Sequence, residues 1–311
     1  MHAWEAIQKT LEIIEVRINE DISTEELADA AALSFFYYQR LFSRLVKKSV
    51  QEYIKLRRFA RACESLKNMD SRIIDTAVDY GFGSHEAFTR AFKAAYGITP
   101  TQYRKSDVRL NNFDKPDLML NYTMIDLGVP LISDGLVLEI NRKTLERPVN
   151  FLGVQDFVHI GGHFPSGEAT GVNEPGEIWR RFGEVESKIP MKPNGRKIGV
   201  AHHGEAPKGT FAYFVGAEVE TKTKADNLQA WALPKGDYLI CGFEAESFEE
   251  LVSVALNKAF KYIGIWQGKN NLKREGFGAE IYFNEQKEDG VFYMEIWAPW
   301  LEAQNKYHPE P

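Results

Sequence analysis

The chain has 311 residues, of which 44% are hydrophobic, 13% aromatic and 26% charged, a composition typical of globular proteins with room for two or three domains. Its two cysteines are too few for a disulfide framework or a thiolate metal site. No apolar run approaches the roughly 18 residues that span a bilayer, and glutamates interrupt the N-terminal apolar stretch, so we expect a cytoplasmic protein with no signal peptide and no membrane contact.

The net charge of −6 is unevenly distributed along the chain. Residues 1–106 hold 16 Lys and Arg against 14 Asp and Glu, whereas the remaining residues hold 22 against 30. Within the first part, Ser34–Lys67 has nine basic and two acidic residues. This local excess of positive charge indicates nucleic-acid binding, although a charge run is more commonly a solvated helix face.

The first hundred residues contain two copies of one helical pattern. The run LADAAALSFFYYQRLFSRLV aligns with DTAVDYGFGSHEAFTRAFKAA as a short helix, a tight turn and a longer helix. An ordinary amphipathic helix would explain either copy taken alone. The duplication favours a pair of helix-turn-helix motifs, each of which presents a polar helix face to the major groove. On the helical wheel the outward residues are Phe36, Gln39, Arg40, Ser43 and Lys47 in the first copy, and Glu86, Thr89, Arg90 and Lys93 in the second.

A long linking helix is predicted between the two copies, over QEYIKLRRFARACESLKN. Its apolar stripe includes Cys63, which we interpret as a small core residue. Its basic residues, Arg57, Arg58 and Arg61, are expected to face outward and to neutralise DNA phosphates.

The run IIDTAVDYGF–HEAFTRAFKAAYGITPTQYR resembles the signature of the AraC/XylS-type DNA-binding domain. The resemblance covers about residues 3–106 and implies an all-α double helix-turn-helix domain over residues 1–106. It also implies that Gln39 and Arg40 read bases from the first copy, and that His85, Glu86 and Arg90 do so from the second. One departure is Ala32, in a turn where the family often has glycine. If that turn requires positive φ, alanine costs about 1 kcal/mol.

Residues 107–135 are polar and are interrupted by Pro116, so they are predicted to form a linker. In residues 136–311 strand-like alternation replaces the helical periodicity, and the elements follow the order β-α-β-β twice. The order predicts an α+β domain, an antiparallel sheet with its helices on one face.

Alternation along the last two strands predicts what the other face of the sheet offers. Phe277, Ala279, Ile281 and Phe283 are expected beneath the helices, and a hairpin around Asp289-Gly290 joins the two strands. A carboxylate among aromatic rings can hold an organic cation, whereas a solvated sheet face is the competing interpretation. The residues expected on the uncovered face are Glu280, Tyr282, Tyr293, Glu295 and Trp297.

Residues 136–302 resemble the GyrI-like effector-binding domain in the fragments YFVGAEV, LPKGDYLICGFEA, FGAEIYF and YMEIWAPW. In ligand-binding members of that family a cleft glutamate maps onto Glu280. The two resemblances together imply a sequence-specific transcription regulator that senses a small aromatic or cationic effector. The implied partners are double-stranded operator DNA, the effector and RNA polymerase, with no cofactor.

Two other functions remain open at this point. Some GyrI-like domains resemble hydrolases, in which Glu280 with Tyr282 or Tyr293 would activate water, although we expect no enzyme. The sheet face would instead bind protein if the domain sequesters a partner. We expect no metal site, because His159, His163 and the pair His202-His203 lack an accompanying carboxylate or cysteine pattern.

Overall fold

In the computed structural model the chain forms two compact units. The first unit contains Met1–Tyr122 and Gly161–Asn173, and the second contains Thr123–Ile160 and Glu174–Pro311. The residues that the structure describes are 3–68, 71–160, 171–220, 227–283 and 291–302.

The first unit is helical, as predicted. Ser23 and Thr99 begin α2 and α7 with capping boxes, and Ser49 and Ser84 each accept one backbone N–H at the start of α4 and α6, which explains where these helices begin. The helices are α1 (Ala3–Val16), α2 (Thr24–Ala30), α3 (Phe35–Val46), α4 (Val50–Leu66), α5 (Ile73–Asp79), α6 (His85–Tyr96) and α7 (Pro100–Lys105).

The two helix-turn-helix copies differ in their turns. Ala32 and Gly81 occupy equivalent positions, since the backbone N–H of each bonds to a carbonyl three residues earlier at 2.9 Å. Both have positive φ, 55° for Ala32 and 77° for Gly81. The first turn therefore requires the left-handed conformation, which is strained for alanine and not for glycine.

Two aromatic cores hold the first unit together, and α4 contributes to both. The first core surrounds Phe42 and Tyr53, whose ring centroids lie 5.7 Å apart. The second surrounds Phe59, which contacts the rings of Phe88 and Phe92. All five rings are fully buried, and each contributes roughly 1.5–3 kcal/mol relative to an exposed ring.

The segment that follows α7 packs into the first unit. It contains the short strand β1 (Leu110–Asn111) and the helix α8 (Leu118–Tyr122). Phe113 and Leu118 are buried in the first core, which differs from the linker predicted over residues 107–135. β1 pairs antiparallel with β5 (Gly171–Val172), although β5 comes much later in the chain.

The second unit is built on an antiparallel sheet. Within the described residues its strand order is β2-β3-β9-β11-β10-β6-β7-β4-β8. The strands are β2 (Leu131–Ser133), β3 (Leu136–Leu145), β4 (Val149–His159), β6 (Lys197–His202), β7 (Thr210–Val219), β8 (Gln229–Leu233), β9 (Gly236–Ala245), β10 (Phe277–Tyr282) and β11 (Phe292–Pro299).

Two helical segments cover one face of this sheet. They are α9 (Glu174–Val185), which a 3₁₀ turn (Glu186–Lys188) follows, and a run of α10 (Phe248–Glu250), a π-helical turn (Leu251–Ala255) and α11 (Leu256–Lys269). The chain orders β4-α9-β6-β7 and β9-α11-β10-β11 confirm the two predicted β-α-β-β units. The hairpin of β10 and β11 is confirmed by their pairing, whereas its predicted turn at Asp289-Gly290 lies outside the described residues.

The opposite face of the sheet is not open to solvent, contrary to the prediction. The ring of Phe277 on β10 lies 5.2 Å from Trp231 on β8 and 6.2 Å from Tyr238 on β9. In a flat sheet β8 would stand roughly 19 Å from β10, four strand spacings away. The sheet therefore curls and encloses a second core on its inner face, which includes Ala279, Ile281 and Trp297.

Candidate DNA-binding surface and ligand site

The helix α3 buries an aromatic stripe and exposes a polar one. Tyr38 and Phe42 are fully buried, and the Tyr38 hydroxyl donates to Thr10 at 3.1 Å, which fixes how the helix is rotated. The predicted outward side chains all lie on the exposed arc: Gln39, Arg40, Ser43 and Lys47. Amide, guanidinium and hydroxyl groups on one exposed helix face have the donors and acceptors needed to read base edges.

The helix α6 repeats this arrangement on the second core. Phe88 and Phe92 are buried while Glu86, Arg90 and Lys93 are exposed, and His85 and Thr89 are half-buried. Hydrogen bonds from its own backbone N–H and from Ser84 lower the pKa of Glu86, so that its carboxylate is a charged acceptor at neutral pH. That DNA contacts these side chains remains a prediction.

Arg57 does not face outward, and this part of the phosphate prediction is wrong. Its side chain is buried, and its guanidinium donates to both carboxylate oxygens of Glu15, at 2.7 and 2.8 Å, and to the backbone oxygen of Phe113. Arg58 is half-buried and donates to the backbone oxygens of Ile18 and Glu20. These arginines hold α4 against the end of α1.

Arg61 is half-buried, with 39% of its side chain exposed, and it has carboxylate partners too. Its guanidinium lies 3.3 Å from Glu15 and 3.4 Å from Glu64. Phe36, which the helical wheel also places on the outward arc, lies on the exposed side of α3, with 82% of its surface accessible. A phenylalanine that is exposed beside polar reading residues can contact a thymine methyl group.

The strand register separates the five predicted ligand residues into two groups. Ala279 pairs with Trp297 and Glu280 with Ile296, and paired residues project from the same face of a sheet. Glu280 and Tyr282 therefore lie on the helix-covered face, whereas Tyr293, Glu295 and Trp297 lie on the inner face. The prediction of one shared surface is wrong.

Glu280 is the centre of a polar cluster under α9. The hydroxyls of Tyr213 and Tyr282 each donate to Glu280 Oε2 at 2.8 Å. The indole N–H of Trp179, on α9, donates to the Tyr213 oxygen at 3.1 Å. Gly199 on β6 keeps the space open, because a Cβ there would stand 2.4 Å from the Tyr213 hydroxyl and 2.8 Å from Glu280 Oε2.

The charge of Glu280 has no basic partner within the described ranges. Only 7% of its surface is exposed, and burial raises its pKa while the two tyrosine hydrogen bonds lower it, with burial dominating. A buried carboxylate that carries a charge without a counter-ion costs free energy that a bound cation would offset. The sequence patterns did not identify Tyr213 and Trp179 as part of this site. Tyr213 lies in the alternating run GTFAYFVGAEVE and Trp179 in the helical run EIWRRFGEV, and neither pattern distinguishes them from the other residues of the run.

Glu295 on the inner face is satisfied by its own neighbours. Tyr293 donates to one carboxylate oxygen at 2.8 Å, and the Trp297 indole donates to the other at 2.7 Å. Gly242 makes room for this group, since a Cβ there would lie 2.5 Å from the Tyr293 hydroxyl. We interpret this group as structural, because both oxygens are already paired.

The histidines show no metal-binding arrangement where they are described. His159 pairs with Glu174 at 2.9 Å, and His202 with Gln155 at 3.1 Å. His163 lies outside the described residues. The described residues contain no group of three or more His, Cys, Asp or Glu suited to a metal, and among them no helix is both long and apolar enough to cross a membrane.

Comparison with protein families finds two matching models. A model described as a helix-turn-helix domain matches residues 27–106, and one described as an integron-associated effector binding protein matches residues 156–299. The first covers both helices predicted to read DNA, α3 and α6. The second contains all the side chains of the Glu280 cluster.

Similar individual proteins match one unit or the other. YbfP of Bacillus subtilis, an uncharacterized helix-turn-helix-type transcriptional regulator, is 44% identical over 104 residues, 33% of this chain and 35% of YbfP. The regulatory protein SoxS of Salmonella typhimurium is 31% identical over 104 residues, 33% of this chain and 97% of SoxS. An integron cassette protein of Vibrio cholerae has 12% identity and a TM-score of 0.37 over 54% of this chain and 99% of its own. The chain thus spans about a third of YbfP but nearly all of SoxS.

Proposed function

The chain belongs to the AraC family of helix-turn-helix transcription regulators, and from this premise we propose that it binds operator DNA under the control of a cationic ligand. DNA is bound through α3 and α6, and the ligand is held at Glu280. The same proposal includes a cytoplasmic location, where DNA is available, and RNA polymerase as a further partner.

The proposed DNA binding is supported by the exposed polar arcs of α3 and α6. Each recognition helix is fixed in rotation by a buried aromatic stripe, so that Arg40 and Arg90 stay on the outside. Two motifs in one chain need no dimer to reach successive major grooves, which lie about 34 Å apart. We therefore expect a non-palindromic site of roughly 20 base pairs, and footprinting on a duplex selected from a random library tests it. A symmetric dimer footprint would contradict this expectation.

The ligand half depends on one observation, the buried carboxylate of Glu280 with two tyrosine donors and no basic partner among the described residues. Aromatic rings of Trp179 and Tyr282, whose centroids are 4.6 Å apart, add faces that attract a cation. A bulky aromatic cation combines the charge and the apolar surface that this cluster favours.

Calorimetric titration with tetraphenylphosphonium and with the neutral triphenylphosphine oxide tests the ligand proposal. Glu280→Gln is expected to weaken binding of the cation by about 1–3 kcal/mol, the scale of a charge-assisted contact, and to change binding of the neutral compound little. Glu295→Gln, on the neighbouring strand but the opposite face, is the matched control and should leave both affinities unchanged.

The possible outcomes separate three explanations. Equal losses for both compounds in Glu280→Gln would mean that this residue shapes the site without reading charge. A larger loss in Glu295→Gln would place the ligand on the inner face of the sheet. If neither compound binds to the unmodified chain, the proposed ligand binding is contradicted, whereas the proposed DNA binding is unaffected.

We propose binding without turnover at this site. A hydrolase would use Glu280 as a general base toward a bound water, and Oε2 of this carboxylate already accepts hydrogen bonds from the hydroxyls of Tyr213 and Tyr282. Release of phenol from an aryl ester should therefore proceed at the same rate with the unmodified chain and with Glu280→Gln. A rate that depends on Glu280 would support the hydrolase instead.

A further inference from the structure

The strand β5 belongs to the first unit, whereas β4 before it and α9 after it belong to the second. Val172 pairs with Leu110 and Gly171 pairs with Asn111. The backbone N–H of Asn173 adds a hydrogen bond to the oxygen of Arg109, at 2.8 Å. A short ribbon thus fastens residues 171–173 to the segment that follows α7.

This ribbon is attached to the second recognition helix. Leu110 packs against the core that contains Phe88 and Phe92, and Tyr96, the last residue of α6, donates its hydroxyl to Asn112 at 2.9 Å. β5 also contacts α6 directly. A displacement of the ribbon therefore acts on the end of α6, the helix that carries Arg90.

The residue after Asn173 begins α9, the helix above Glu280. Glu174 accepts hydrogen bonds from the backbone N–H and the imidazole of His159, at 2.7 and 2.9 Å, which holds the first turn of α9 at the end of β4. Trp179 follows about 7.5 Å further along the helix axis, at 1.5 Å per residue. Trp179 contacts both tyrosines that donate to Glu280.

We infer that the segment Val172–Trp179 couples the ligand site to α6, with Trp179 as the positioning residue at its ligand end. The inference rests on the proposed function, since it assigns the regulation of the same Glu280 site. A cation at Glu280 competes with the hydroxyls of Tyr213 and Tyr282 for the carboxylate, and so moves these two side chains. Trp179 bonds to one of them and stacks edge-on against the other, so that α9 shifts with them. Because one peptide bond joins α9 to the ribbon, that shift reaches α6.

Inserting two glycines between Asn173 and Glu174 tests this coupling. The insertion leaves the contacts of each end in place but removes their direct connection through one peptide bond. The matched control inserts the same two glycines between Tyr122 and Thr123, another point where the chain passes from one unit to the other. Both variants are made in the full chain and measured on a duplex selected from a random library.

In the unmodified chain, tetraphenylphosphonium is expected to change the Kd for this duplex at least fivefold, within the usual range of allosteric coupling. In the 173/174 insertion the change should fall below twofold, while the affinities for tetraphenylphosphonium and for the duplex alone stay within twofold of the unmodified chain. The 122/123 insertion should keep the fivefold effect. Coupling that survives the 173/174 insertion, or that both insertions abolish, overturns the inference.

Trp179→Phe tests the positioning role separately. Phenylalanine keeps a ring beside Tyr282 but removes the N–H that Trp179 donates to Tyr213. We expect the fivefold coupling to fall below twofold, whereas a purely structural role would leave it intact and lower only the thermal stability. Coupling that persists in Trp179→Phe contradicts the positioning role.

A chain that fails to bind tetraphenylphosphonium would contradict the ligand proposal alone, and the coupling is then judged without ligand. Trp179→Ala disturbs α9 directly, so in the chain without an insertion it should change the amide hydrogen-exchange rates of β1 and α6 by more than threefold. In the chain with the 173/174 insertion, the same substitution should change these rates by less than twofold. Unchanged exchange in the continuous chain would overturn the coupling itself.

Discussion

Arg57→Ala is expected to destabilise the packing of α4 against α1 by about 3–5 kcal/mol, the cost of removing one partner from a buried ion pair. The buried guanidinium makes two hydrogen bonds to Glu15 and one to Phe113. Without it, Glu15 keeps Tyr53 at 3.1 Å and Arg61 at 3.3 Å. Only 12% of the Glu15 side chain is exposed, so water does not replace the lost partner.

The same substitution should reverse the sign of the pH dependence. Burial raises the pKa of Glu15, but the hydrogen bonds and charge of Arg57 outweigh it, so that its pKa lies below the ordinary 4.5. In the unmodified chain this stabilisation is present above pH 4.5 and is lost as the pH falls through the lowered pKa. In Arg57→Ala burial dominates, the pKa rises above 4.5, and the free energy of unfolding falls as the pH rises through that window.

Native-state hydrogen exchange of the full chain, followed in peptides from α1 and α4, measures this prediction. A loss of 3–5 kcal/mol raises the opening equilibrium by roughly two to four powers of ten. Arg61→Ala is the control, expected to cost about 0–1 kcal/mol because that side chain is partly exposed. A variant that exchanges normally but shows a weaker salt dependence of DNA binding would refute the argument, since a phosphate contact behaves in that way.

Three further predictions concern other parts of the chain. Ala32→Gly should raise the stability of α2 and α3 by about 1 kcal/mol in exchange measurements, because residue 32 has positive φ, and a destabilising Ala32→Gly would contradict this strain. Gly81→Ala should be destabilising, because Gly81 has a φ of 77°. Arg90→Ala should weaken binding to the selected duplex by about 1–3 kcal/mol and relax the base preference at one base pair, which library selection would show. Uniformly weaker binding to all sequences would instead indicate a phosphate contact. The free energy of unfolding of the second unit, measured by denaturant titration, should fall as the pH rises above 4.5, because burial raises the pKa of the Glu280 carboxyl. This pH dependence should be weaker in Glu280→Gln, and a free energy of unfolding that rises with pH would contradict burial as the cause.

The helices α3 and α6 and their exposed faces could be predicted from the sequence because the pattern that determines them is local. In α3 and α6 an aromatic stripe at helical spacing fixes the buried side, and the capping serine of α6 comes directly before its first residue. The exposed positions of Arg40 and Arg90 follow from that stripe alone.

The role of Arg57 could not be predicted in this way. An arginine in a basic helix ordinarily faces solvent, and its partner Glu15 lies on another helix 42 residues earlier in the sequence. No local pattern links these two positions, and only the packing of α4 against α1 brings them together.

The five predicted ligand residues were wrongly assigned to one face because both faces of the sheet are buried. Alternation distinguishes a core face from a solvent face, but β10 and β11 have helices on one side and the curled sheet on the other. Only the pairing of Ala279 with Trp297 establishes which residues share a face.

The pairing of β1 with β5 also sets an order for biosynthesis. An N-terminal domain ordinarily folds as soon as the ribosome releases it. Here the edge of β1 is completed only by Gly171 and Val172, which are translated after β2, β3 and β4 of the second unit. A nascent or prematurely terminated chain that ends before residue 171 therefore leaves the backbone groups of β1 unpaired beside α6. The first unit is thus complete only in chains whose synthesis has already extended into the second unit.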